Sequence, residues 1–155
     1  MAAGIRERFG RGPALVAQDN LRRVVLRDRD LPGAANIALI GLTARYALDA
    51  GFHVMVEGVL HADHHGEMLA GLRADHRSPI HAHHLDVPLT ETLARHATKP
   101  IADEVDASRL RDWCRPLALL PGRAETGVSA GSALPATVDP HRARRRPGRT
   151  AARDL

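Results

Sequence analysis

Lysine is nearly missing from this chain: among 22 basic residues only Lys99 is one, and it precedes Pro100. That excludes the phosphate-binding loop Gly-x-x-x-x-Gly-Lys-[Ser/Thr], in which a lysine follows a glycine. Cysteine is as scarce. Cys114 stands alone, which rules out an internal disulfide framework and fits a reducing, cytoplasmic setting. Apolar runs are short. Stretches such as Ile37-Ala-Leu-Ile-Gly-Leu42 fall far below the roughly 20 residues that cross a bilayer, so no membrane span is expected. The amino terminus also lacks a basic segment followed by an apolar core and a small-residue cleavage site, the pattern of a secretory signal. Aromatic residues make up only 3% of the chain, too few for a platform on which bases could stack.

What is present suits one domain. The chain has 155 residues, 44% hydrophobic and 26% charged, enough for a single buried core. The pI of 10.4 suggests a polyanion partner, but the charge is unevenly placed. Residues 139–155 hold six arginines against Asp139 and Asp154, a surplus of four, while residues 1–138 hold 16 basic and 16 acidic groups. The body is neutral. We therefore divide the chain into a folded domain over 1–134 and a solvated basic tail over 135–155, and expect no specific nucleic-acid binding.

Three apolar runs each end in an acidic residue and lead into helix-forming sequence: Ala14-Leu-Val-Ala-Gln-Asp19, His53-Val-Met-Val-Glu57-Gly58 and His83-His-Leu-Asp86-Val-Pro88. This pattern predicts a parallel α/β sheet with its chemistry at the strand ends, where Asp19, Glu57 and Asp86 would rim one crevice. Between these runs, Ile5 and Phe9 with Gly10 read as the end of a helix, so that the chain opens in mid-helix. A helix follows Asp19 through Leu26, and Leu31-Pro-Gly33 is a turn. Asn36 to Ala50 carries a helical apolar period and stops at Gly51. A loop with His61, Asp63, His64 and His65 precedes a helix over 67–75, and Ile80 to Val87 is the third strand. Pro88 opens a helix over 90–96, 97–106 is a polar lid, 107–113 is a short helix, and Glu125 to Ser129 is a last strand.

Gln18-Asp19-Asn20-Leu21-Arg22-Arg23, Val56-Glu57-Gly58, Leu85-Asp86-Val87-Pro88-x-x-Glu91-Thr92-Leu93-x-Arg95-His96 and Leu110-Arg111-x-Trp113 together resemble the small bacterial P-loop kinases. The nearest type is the group that includes chloramphenicol phosphotransferase and the zeta-toxin kinases. The resemblance covers about residues 2–134 and rests on the order and spacing of the segments. It implies a three-layer P-loop NTPase fold and ATP-dependent phosphoryl transfer, with Mg2+, to a hydroxyl of a small molecule. Carried onto this chain, Asp19 would be the general base, Arg22 and Arg23 would hold the acceptor or phosphate, and Glu57 would organise acceptor or metal. Arg95 and Lys99 would close over the phosphates. The departure is large. This chain is expected to begin just after the phosphate-binding loop, and so to lack the central first strand, with the other strands pairing on either side of a gap. Ala118 also stands where related sequences often carry aspartate.

Each of these residues has a plainer reading. Asp19 could be a helix N-cap, Arg22 and Arg23 a solvated helix face, Glu57 a strand-end acid pairing with an arginine, and Arg95 and Lys99 surface charges. Asp86 reads as ordering its turn, Trp113 as a packing anchor and Cys114 as an incidental thiol. The histidines at 61, 64 and 65 and at 81, 83 and 84 match no zinc spacing, so no metal site is assigned. Two further functions stay open: a degenerate kinase-like binding protein, and a histidine-based metal binder.

Overall fold

The computed structural model describes residues 4–5, 13–76, 79–98, 106–114 and 125–132. Lys99, the central part of the proposed lid, Ala118 and the basic tail lie outside the described residues, as does all of the first helix except Gly4 and the buried Ile5. The fold is mixed α/β with parallel sheets. In chain order the elements are β1 (Ala14–Ala17), α1 (Asn20–Leu26), α2 (Ala35–Asp49), β2 (Val54–Glu57), α3 (Ala62–Asp75), β3 (Ala82–Asp86), α4 (Leu89–His96), α5 (Ala107–Trp113) and β4 (Glu125–Ser129). α1 is wound as a π-helix and closes on Arg27, whose φ of 53° is left-handed and whose N–H donates to the Arg22 carbonyl.

Two separate pairs of parallel strands form. β1 lies beside β2 with Ala14 opposite Val54 and Ala17 opposite Glu57. β3 lies beside β4 with Ala82 opposite Glu125 and Asp86 opposite Ser129. No strand pairing joins the two sheets, so each strand pairs along one edge only among the described residues. The single crevice expected for Asp19, Glu57 and Asp86 is accordingly not built on one continuous sheet.

The core belongs to the first sheet. α2 packs on β1, β2, α1 and α3, and Val16, Ile40, Ala44 and Leu72 form a buried cluster flanked by Leu21, Val54, Val56 and Met68. The helical period of α2 supplies it: Ile37, Ile40, Gly41 and Ala44 are buried at spacings of three and four. Gly51, at φ 86°, ends this helix by donating its N–H to the Leu48 carbonyl at 2.9 Å. In β2, Val54, Met55 and Val56 are half-buried. Trp113, expected as an anchor, is 44% exposed.

Candidate functional site

The carboxyl edge of the first sheet is fixed by its register. Because Ala17 stands opposite Glu57, the residues that follow β1 and β2 leave the sheet at the same end. They touch there. Gln18, 2% exposed, packs so closely over Gly58 that a Cβ on that glycine would come within 2.6 Å of the Gln18 Cβ and Oε1. Gly58 also has φ 151°, a backbone shape costly for any residue with a side chain. The Gln18-Asp19 and Glu57-Gly58 segments are thus locked to one another by a contact only glycine permits.

Asp19 stands on this edge, exposed, and makes no side-chain cap bond to α1. Its reading as an N-cap is therefore corrected: with helical φ and ψ already at Asp19, the carboxylate does not reach the free N–H groups of the first turn. Instead Asp19 Oδ1 accepts from Arg22 Nη2 at 2.7 Å. Arg22 is mostly buried, with its side chain 20% exposed, and its Nε is buried without a hydrogen-bond partner. It is not a solvated arginine. It holds the Asp19 carboxylate in place. Arg23 lies on the exposed side of α1, and Glu57 is exposed at the strand end.

The other residues singled out by the sequence are elsewhere. Arg95 ties α4 to the turn after β4, pairing with Glu91 at 2.6 Å and donating from Nη2 to the Ala130 carbonyl at 3.1 Å. Asp86 ends β3, exposed, opposite Ser129. Cys114 is an exposed free thiol at the end of α5.

The histidines differ most from expectation. His64 and His65 do not lie on a loop: α3 starts at Ala62, with His61 as its N-cap residue, so both belong to its first turn. There they face Asp30, which comes from the segment between α1 and α2. Sequence reasoning missed Asp30 because it is more than 30 positions away and part of a run of alternating charges. His81 directly precedes β3 and His83 lies within it.

Among the described residues no helix is long and apolar enough to cross a membrane. Compared with known families, curated proteins and solved structures, the chain has no match in any of the three.

Proposed function

We propose that the chain carries the acceptor side of an ATP-dependent kinase that phosphorylates a hydroxyl of a small molecule. The observation that supports this reading is the split sheet. A P-loop kinase stripped of its central strand would leave parallel strands paired on either side of a gap, and among the described residues β1–β2 and β3–β4 pair in parallel with no ladder between them. The clamped carboxylate at the end of β1 is the second support. The full three-layer fold, with its loop, belongs to this reading.

The residues present do not fit the phosphates of ATP or their Mg2+. No lysine follows a glycine anywhere in the chain, and with it the loop amides and metal-binding hydroxyl are missing. The chemistry open to this chain is therefore on the acceptor side. Asp19 takes the proton of the attacking hydroxyl, and Arg22 fixes the carboxylate against rotation. Glu57, leaving the sheet at the same end, accepts a hydrogen bond from the acceptor. Arg23 adds positive charge on the same helix, whereas Arg95 is tied to Glu91 and the Ala130 carbonyl, so its closing with Lys99 over the transferred phosphate would require those bonds to break.

The DNA upstream of Met1 tests the reading directly. An in-frame apolar strand followed by Gly-x-x-x-x-Gly-Lys-[Ser/Thr] supports it, and an in-frame stop favours the degenerate binding protein. In the extended chain, Asp19→Asn should lower kcat about 10²- to 10⁴-fold with nucleotide binding nearly intact. Activity within a few-fold of the parent would remove Asp19 as the base. The chain as it stands should bind no ATP at micromolar concentration in calorimetry.

A further inference from the structure

Away from the sheet edge, three titratable side chains converge where the segment before α2 meets the first turn of α3. Asp30 Oδ1 is 3.9 Å from His64 Nδ1 and 3.7 Å from His65 Nε2. One ligand atom from each residue lies within 4.8 Å of the others. His65 is fully buried and the His64 side chain is 8% exposed. The same three atoms, Asp30 Oδ1, His64 Nδ1 and His65 Nε2, are buried with no hydrogen-bond partner. Buried polar atoms are nearly always satisfied, and three unsatisfied ones aimed at each other imply a missing partner.

Direct hydrogen bonds do not supply it, because the separations exceed hydrogen-bond length. They are a few tenths of an ångström wider than the roughly 3.4 Å edge of a tetrahedron with bonds of about 2.1 Å. The far side of each ring is also occupied. His65 Nδ1 is 3.3 Å from the His61 carbonyl oxygen, and His64 Nε2 is 3.6 Å from Asp63 Oδ2. The His61 carbonyl can only accept, so it places the His65 ring proton on Nδ1 and leaves the Nε2 lone pair facing the cluster, as in the carboxylate–histidine–metal arrangement, whereas the His64 contact is too long for a hydrogen bond.

We propose that Asp30, His64 and His65 bind a divalent first-row transition ion, Zn2+ foremost. Two imidazoles and one carboxylate are its usual ligand types, and three protein ligands leave a coordination position for water. The ion ties the segment between α1 and α2 to α3. This site is independent of the kinase reading and needs neither ATP nor the absent loop.

The test is titration of Zn2+ into tag-free, metal-stripped protein at pH 7.5, followed by calorimetry and by the thermal midpoint. One ion per chain with a Kd of about 10 µM or tighter is expected, together with a rise in Tm. Asp30→Asn and His64→Gln should each weaken binding at least about tenfold while the circular dichroism spectrum keeps its native shape. His65 is fully buried, so its replacement would confound loss of the ion with loss of packing. Replacing His81 and His83 together should change nothing. Co2+ should give a visible absorption band that Asp30→Asn abolishes. Binding weaker than about 100 µM, an affinity indifferent to Asp30→Asn and His64→Gln, or loss of the ion on replacing His81 and His83 would each overturn the proposal.

Discussion

The two sheets of this protein are built alike and buried very differently. Both are parallel pairs of four or five residues per strand. β1–β2 lies under α2, and every residue of the buried cluster belongs to it or to the helices α2 and α3. β3, β4, α4 and α5 contribute no buried residue among those described. Strand pairing and register therefore do not require a core, but an isolated parallel pair is marginal in water. The first sheet draws its stability from buried apolar side chains. The second is held by its ladder and by polar ties such as Arg95 to Ala130.

Core truncation should widen this contrast most. Ile40 is fully buried, so Ile40→Ala should cost about 2–5 kcal/mol in urea unfolding, whereas Leu85→Ala, at a side chain 51% exposed, should change stability by less than about 0.5 kcal/mol. Comparable losses at the two positions would show that β3–β4 is covered as well as β1–β2.

A pair of glycines gives the next largest difference. Gly58→Ala drives a Cβ to within 2.6 Å of Gln18 at a φ of 151°, and should destabilise by about 1–3 kcal/mol. A methyl group added at Gly127 in β4 would meet nothing within 4 Å, so Gly127→Ala should be neutral or stabilising within about 1 kcal/mol in the same melts. A neutral Gly58→Ala would mean that the Gln18 contact does not lock the sheet edge.

Acid should separate the halves last and least. Burial, opposed by Asp30, lowers the His65 pKa below 6.5, while the unfolded chain returns it to that value. The unfolded state then binds the extra proton, so the first half loses stability as pH falls from about 6.5 toward the lowered folded value. Asp106 caps α5. Its carboxylate accepts from the Arg109 N–H and from the Ser108 hydroxyl, which hold it below the ordinary 3.8. That cap stabilises above about 3.8 and is lost only as pH falls through the lower folded value. In metal-free protein, hydrogen exchange should therefore show α3 loosening between neutrality and pH 5 while the Arg109 amide keeps its protection. Loss of the Arg109 protection first would reverse the comparison.

Local structure was legible in the sequence because short-range rules govern it. The β-forming run at 14–17, the apolar period that makes α2, the stop at Gly51, the proline before α4 and the strand at 125–129 all follow from neighbours within a turn or a strand, and the structure has each of them. The alternation of strand and helix likewise set the parallel α/β class. Tertiary structure alone decided the rest. That Asp19 is clamped by Arg22 instead of capping its helix depends on where the π-wound turn begins. That Gly58 is needed depends on Gln18 arriving from another strand. That Asp30 meets His64 and His65 depends on the packing of α2 against α3, which closes a separation no local period spans. Spacing along a chain reports what a helix or strand brings together, and only the burial of a shared core brings together residues from different elements.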